Sequence, residues 1–110
     1  MPQSLANIMI HLIFSTKSRI EWISANLEGP LYAYLCGIAD NLRTPIIEIG
    51  GMPDHVHILI NYAPDLAISD IVGQIKSSST NWINQRKFHK FKFSWQSGFG
   101  VFSVSPGGVE

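Results

Sequence analysis

Apolar and polar residues alternate at two places in the first half of this chain, and each alternation predicts a β-strand. Around residues 8–14 one face is uniformly apolar, and His11 lies on the less apolar face of a well-buried first strand. Over about residues 55–62, Val56, Ile58 and Ile60 share one face of a second strand. Because side chains alternate between the two faces of a strand, His55 and His57 point together to the opposite face.

Apolar residues at helical spacing predict two helices. The first covers residues 26–42, and Pro30 is expected in its first turn, where a missing N–H is harmless. The second begins at Ser69 and Asp70, which are good helix-start residues. Its apolar face is formed by Ile71, Val72, Ile75, Ser79 and Trp82.

Two more extended segments complete the predicted order. One covers residues 46–49 and is joined to the histidine strand by a turn at residues 50–54, and the other covers residues 95–104. The order strand, helix, strand, strand, helix, strand predicts an α+β fold, a ferredoxin-like or RRM-like split βαβ arrangement. Its antiparallel sheet carries both helices on one face. We expect a single domain over residues 1–110, with an open sheet face towards which His11, His55 and His57 look.

Composition fits a compact globular domain and excludes several classes of protein. The chain is 45% hydrophobic and 15% charged, which argues against intrinsic disorder. The single cysteine cannot form an internal disulfide. The sequence also shows neither a signal peptide nor an apolar run long enough to span a bilayer. We therefore expect a cytoplasmic protein with no membrane partner.

The formal net charge of zero conceals an uneven distribution. Residues 71–109 contain five bases and no acid, so the C-terminal third is basic. Such a segment suits phosphate binding, although a solvated surface loop would have the same composition. Its bases alternate with phenylalanines that could stack on nucleobases or anchor the core, and for Phe91 and Phe93 we favour the core. The alternating residues are Arg86, Lys87, Phe88, Lys90, Phe91, Lys92 and Phe93.

The paired histidines are the strongest chemical signal in the chain. Two neighbouring imidazoles on one face can hold a divalent metal ion, although a His-x-His pair also occurs on strands without any metal. His11 could supply a third ligand if the first strand lies beside the histidine strand, or it could simply make hydrogen bonds. For Asp54 we favour a turn-forming role over a metal-binding one.

Four blocks of sequence resemble the HUH-superfamily single-tyrosine transposases, which move insertion sequences as single-stranded DNA. The resemblance runs over nearly the whole chain. His-x-His alone is a weak signal, but four blocks in this order and at these intervals are a specific one. In order, the blocks are HLIFSTKSR at residues 11–19, MPDHVHIL at 52–59, KSSS at 76–79 and WQSGFGVFSVS at 95–105.

The resemblance implies a chemistry and its partners. His55 and His57 would hold magnesium or manganese at a scissile phosphate, while a tyrosine attacks the phosphorus and forms a 5′-phosphotyrosine link. The DNA would be single-stranded with hairpin ends, and the protein would act as a homodimer joined through sheet edges.

One departure from the family pattern limits this expectation. The family carries its nucleophilic tyrosine and a third metal ligand on a C-terminal helix, and residues 105–110 resemble only the start of that helix. None of Tyr32, Tyr34 and Tyr62 matches the nucleophile position. We therefore expect a C-terminally truncated form that has no catalytic nucleophile and cannot nick DNA.

Basic and hydroxyl side chains near the blocks are the predicted DNA contacts. They are Lys17, Arg19, Lys76, Ser79, Arg86 and Lys87. Two other functions stay open at this stage. One is a non-catalytic module that binds hairpin DNA or RNA. The other is a small metal-dependent hydrolase built on the three strand histidines, for which Asp54 is the one nearby carboxylate.

Overall fold

The elements follow the predicted order. The structure, a computed structural model, describes residues 8–62, 65–87 and 90–104. Phe88 and residues 105–110, where the start of a last helix was predicted, lie outside the described residues. A short 3-10 turn, Lys17–Arg19, follows the first strand. The main elements are β1 (Met9–Ser15), α1 (Ala25–Asn41), β2 (Ile46–Met52), β3 (His55–Asn61), α2 (Ile68–Arg86) and β4 (Gly100–Val104).

The four strands form one antiparallel sheet in the order β2-β3-β1-β4. In the central pair, Ile13 lies opposite His57 and Ser15 lies opposite His55. On its other side β1 pairs with β4, where His11 lies opposite Phe102. This order, with α1 and α2 inserted between strands, confirms the predicted ferredoxin-like α+β fold.

The core lies between the sheet and the two helices. Alternate residues of β1 and β3 are buried, as a period of two requires when one sheet face is covered. Both helices contribute a buried stripe to the same core, with Leu27, Leu31 and Leu35 on α1 and Ile71 and Ile75 on α2. The opposite face of the sheet is left uncovered and carries the histidines.

The start of α1 differs from the prediction. The helix begins at Ala25, and the hydroxyl of Ser24 accepts a hydrogen bond from the Leu27 N–H at 3.3 Å. Pro30 therefore lies inside the helix, beyond the first turn, and the prediction that it belongs to the first turn was wrong. Because proline has no backbone N–H, α1 lacks one of its i→i−4 hydrogen bonds at this position.

The hairpin between β2 and β3 is tighter than predicted. Gly50 and Gly51 belong to β2, and only Pro53 and Asp54 form the turn. A β-carbon on Gly51 would collide with the carbonyl oxygen of His55, so only glycine allows the two backbones to approach this closely. The last strand is also shorter than predicted, since β4 begins at Gly100 and Trp95 makes only an isolated bridge with Thr16.

The two phenylalanines after α2 have opposite environments. Phe93 is completely buried, and its ring meets Trp95 edge-on at 4.9 Å between centroids. Phe91 is 72% exposed, so the preference for a core role was wrong for this residue. Within the described ranges, no helix is long and apolar enough to cross a membrane.

Candidate metal centre and nucleic-acid interface

His55 and His57 both lie on the uncovered face of the sheet, as their spacing predicted. His57 is exposed, and the side chain of His55 keeps 27% of its accessible surface. Their ring centroids are 6.5 Å apart, and the ring planes are inclined by 34°. The two imidazoles therefore lie side by side at the surface of this face, close to the hairpin turn, with His57 exposed and His55 half-buried.

His11 joins this face from the neighbouring strand. Its ring meets His57 edge-on, with 5.4 Å between centroids. However, no group of three or more His, Cys, Asp or Glu side chains in residues 8–62, 65–87 and 90–104 could hold a metal ion together. The structure therefore brings His11 next to the pair without making a three-ligand site of it.

Asp54 sets the orientation of the His55 ring. One carboxylate oxygen of Asp54 lies 2.9 Å from Nδ1 of His55. The hydrogen bonds from His55 and from Arg19 hold the pKa of Asp54 below its usual range, so the carboxylate is ionised and can only accept. Nδ1 of His55 must then carry the proton, which leaves the lone pair of a neutral ring on Nε2.

Asp54 is held in turn by the segment that leaves β1. The guanidinium Nε of Arg19 donates to its second carboxylate oxygen at 3.0 Å. Thr16, which is fully buried, donates its backbone N–H to the Asp54 carbonyl at 2.9 Å. Its hydroxyl donates to the Ile20 carbonyl at 2.6 Å and lies 3.2 Å from the Asp54 carbonyl. Arg19 adopts a left-handed φ of 57°, an uncommon conformation for a side chain of this size. The turn and the strand exit thus form one hydrogen-bonded unit that holds the His55 ring.

Gly50 determines where the second imidazole can lie. It is opposite His57 in the ladder, and a β-carbon on residue 50 would come within 3.3 Å of the His57 ring, which is closer than an ordinary contact. Sequence reasoning missed the roles of Asp54 and Gly50. Their positions could have indicated these roles. Asp54 immediately precedes His55, and Gly50 lies across the hairpin from His57.

The donor set fits a divalent ion with incomplete protein ligation. Imidazole suits manganese better than magnesium, which prefers oxygen, and both ions accept water at free positions. His55 would bind through Nε2 because Nδ1 is already engaged. Two protein ligands would leave the remaining positions of such an ion to water or to oxygen atoms of a bound molecule.

The predicted DNA contacts fall into two groups. Lys17 and Arg19 are exposed at the rim beside the histidines, and Arg19 also binds Asp54. Arg86 and Lys87 are exposed at the end of α2, where the Arg86 guanidinium lies 5.6 Å from the Trp82 ring centroid. These four side chains remain predicted phosphate contacts.

Lys76 is engaged with the protein itself. Its ammonium donates to the carbonyls of Gln96 at 2.6 Å and Gly98 at 2.5 Å, and lies 5.8 Å from the centroid of the Phe14 ring. Burial lowers the pKa of this lysine. Lys76 therefore ties α2 to the loop that precedes β4, and any contact with DNA would compete with this role.

Ser79 is not available to DNA, and its assignment as a DNA contact was wrong. Its side chain is fully buried, donates to the Ile75 carbonyl at 2.6 Å and accepts from Nε1 of Trp95 at 2.9 Å. The spacing already indicated this, because Ser79 follows Ile75 and precedes Ile83 by four residues each on the buried face of α2.

No tyrosine of the described residues lies with the histidines. Tyr32 and Tyr34 are on α1, on the covered side of the sheet, and Tyr34 stacks on Trp82 at 4.7 Å. Tyr62 packs against the core and donates its hydroxyl to the Leu66 carbonyl at 2.5 Å. In the structure, the three tyrosines therefore lie away from the two histidines.

Comparison with known proteins shows similarity to a family of transposases. A family model described as "Transposase IS200 like" matches residues 4–110. The ISDra2 transposase TnpA of Deinococcus radiodurans is 35% identical over 69 residues, which make up 63% of this chain and 49% of that protein. The chain thus matches about half the length of this curated relative.

Two solved structures share the fold. A crystallised transposase candidate from Deinococcus radiodurans superposes with a TM-score of 0.83 and 25% identity, over 96% of this chain and 86% of that one. A REP-associated tyrosine transposase bound to a REP hairpin superposes with a TM-score of 0.67 and 14% identity, over 96% of this chain and 61% of that one. At this identity the second likeness concerns the fold alone.

Proposed function

Because this chain belongs to the IS200-like transposase family, we propose that it binds the single-stranded, hairpin-forming ends of an insertion sequence. His55 and His57 would hold magnesium or manganese where the DNA backbone crosses the open sheet face. The observation that supports this proposal most directly is the hydrogen bond that Nδ1 of His55 donates to the ionised Asp54. This bond leaves Nε2 of His55 available on that face. A bound ion would polarise a phosphoryl oxygen and offset charge that develops on the phosphate.

The side chains around the pair have distinct tasks in this proposal. Asp54 keeps the proton of His55 on Nδ1, and Arg19 keeps Asp54 ionised and in place. Lys17 lies on the same exposed rim and would neutralise phosphates of the strand that approaches the site. Each task depends on charge and orientation, and none requires a side chain to move.

Hairpin DNA is the partner that family membership supports. The REP-associated relative is bound to a hairpin, and its fold matches 96% of this chain. Homodimerisation through sheet edges is part of the same proposal. It is supported by β4, which forms one edge of the sheet and exposes Val101 and Phe102 to 44% and 56%.

The chain on its own would bind DNA without cutting it. The family mechanism needs a tyrosine beside the metal, and the three tyrosines of this chain are all on α1 or packed on the core. This observation favours a second candidate function as well, a hairpin-binding module that does not catalyse. A hydrolase built on His11, His55 and His57 is disfavoured, because the Asp54 carboxylate is already bound by His55 and Arg19.

Metal and DNA binding can be tested with the full chain. We expect isothermal titration calorimetry with manganese to show one metal-binding site. His57→Ala should abolish this site, and His11→Asn should retain it. We also expect a fluorescein-labelled hairpin with single-stranded flanks to bind, and a denaturing gel to show no covalent adduct. An equal loss of manganese affinity in His57→Ala and His11→Asn would contradict the proposed ligand pair. A covalent adduct would contradict the proposal that the chain does not cut DNA. Equal hairpin affinity with manganese and with EDTA would favour the non-catalytic module.

A further inference from the structure

The segment after α2 presents an exposed aromatic ring among lysines. Phe91 is the most exposed large apolar side chain of the described residues, at 72%. It borders a surface concavity of about 490 Å³. The concavity is lined by Asn84, Lys87, Lys90, Phe91 and Lys92.

This concavity stands on a fixed base. The side-chain amide of Asn84 donates to the Phe93 carbonyl at 3.1 Å, and its carbonyl accepts from the Phe93 N–H at 2.8 Å. Phe93 is anchored in the core between Trp22 and Trp95. The chain thus buries one phenylalanine to hold the segment in place and leaves the other ring in solvent.

The positive charge of the side chains around Phe91 favours an anionic ligand in this concavity. Of the five lining residues that the structure describes, three are exposed lysines and none is acidic. The sequence contains no Asp or Glu between residues 71 and 109, so no carboxylate from this part of the chain offsets the lysines. Lysines next to an uncovered aromatic ring are the arrangement that binds single-stranded nucleic acid, with bases on the ring and phosphates on the ammonium groups.

Packing connects this surface to the histidine end of the molecule. Phe93 contacts Trp95, and Trp95 forms the bridge with Thr16, whose backbone N–H donates to the Asp54 carbonyl. The Lys17 N–H donates to the Ser94 carbonyl at 3.1 Å. The segment with Phe91 therefore leads directly into the rim that carries Lys17 and Arg19.

We infer that Phe91, Lys87, Lys90 and Lys92 form a second contact for single-stranded DNA, which receives the flank of a hairpin whose backbone passes the histidines. A nucleobase stacks on Phe91, and the three lysines neutralise the adjacent phosphates. The inference rests on the proposed function, because it assigns one part of the same DNA to a defined surface. No chemical step takes place here.

The test compares two hairpins by fluorescence anisotropy with the full chain. One hairpin carries a single-stranded flank and the other is blunt. Phe91→Ala is expected to weaken binding of the flanked hairpin about tenfold. It should leave the blunt hairpin unaffected, and Phe91→Trp should retain the affinity. Ile47→Ala is the matched control, since Ile47 is also exposed, at 49%, but lies on β2.

Salt dependence gives an independent readout. Replacing Lys87, Lys90 and Lys92 by Gln should reduce the slope of log affinity against log salt by about 0.7 for each phosphate that the variant no longer neutralises. This reduction should occur with the flanked hairpin only.

The outcomes separate this inference from the proposed function. If the wild-type chain binds both hairpins equally, or if Phe91→Ala weakens both equally or neither, the flank does not use this surface and the inference fails while hairpin binding stands. If neither hairpin binds, the proposed function and the inference fail together. If Phe91→Ala converts a dimer into a monomer in sedimentation experiments, a second copy of the chain covers Phe91 and the inference is overturned.

Discussion

The imidazole of His57 lies on Gly50 of the neighbouring strand. A β-carbon on residue 50 would come within 3.2 Å of Cε1 and 3.3 Å of Nε2 of that ring. Because the ring is exposed and can rotate, a larger residue 50 would shift the His57 ring without breaking the sheet. The absence of a side chain at residue 50 therefore lets the imidazole lie close to β2.

Gly50→Ala is expected to weaken manganese binding about tenfold while the far-ultraviolet circular dichroism stays unchanged. The physical reason is the displaced His57 ring. Calorimetric titration measures the affinity. Gly73→Ala is the control, because a β-carbon there meets nothing within 4 Å. An unchanged affinity in Gly50→Ala would show that the His57 ring does not need this space.

Asp54→Asn removes the ionised acceptor beside His55 and retains the size of the side chain. We expect manganese affinity to fall between about ten- and a hundredfold, since a neutral amide no longer fixes the proton on Nδ1. Nitrogen-resolved NMR of the imidazoles reports the tautomer directly. The matched change Asp40→Asn, on an exposed carboxylate of α1, should alter neither reading. A His55 tautomer that is the same in wild type and Asp54→Asn would refute the assigned role.

The sequence was sufficient for the overall frame of this site. The alternation of residues 55–60 placed both histidines on one face, and the order of elements indicated the ferredoxin-like fold, while the pairing of β1 with β3 came from the structure. Each conclusion follows from a short-range periodicity or from a topology that few alternatives satisfy.

Other features depend on tertiary packing, and the sequence could not specify them. Phe91 and Phe93 have similar sequence surroundings, and tertiary contacts distinguish them, because Asn84 binds the Phe93 backbone and Trp22 and Trp95 pack on the Phe93 ring. The position of Gly50 within β2 likewise depends on a hairpin turn of two residues, which the Gly-Gly-Met-Pro-Asp run did not reveal. Whether Lys76 faces DNA or backbone carbonyls depends on where the loop before β4 returns to α2.

Ser79→Ala tests the corrected role of this serine. It leaves the Trp95 indole N–H without an acceptor in a buried site, and should lower the free energy of unfolding by about 1–3 kcal/mol. Hairpin affinity should not change at temperatures where the variant is folded. Urea denaturation measures the stability, and the exposed Ser77→Ala serves as the control. A stable Ser79→Ala with impaired DNA binding would restore the original assignment as a DNA contact.

Lys76→Met tests the link between α2 and the loop before β4. The substitution keeps much of the apolar stem and removes both hydrogen bonds to the Gln96 and Gly98 carbonyls. We expect a loss of about 1–2 kcal/mol in unfolding free energy, together with faster amide hydrogen exchange around residues 96–98. Lys17→Met, at an exposed position, should change neither quantity. Unchanged exchange in Lys76→Met would mean that the loop is held by other contacts.

A crystal of the full chain soaked in manganese provides the most direct test of the metal centre. Anomalous scattering should show one manganese ion bound by Nε2 of His55 and Nε2 of His57, with the Asp54 carboxylate still on Nδ1 of His55. An ion bound through Nδ1 of His55, or no anomalous peak between the two rings at saturating manganese, would contradict the account.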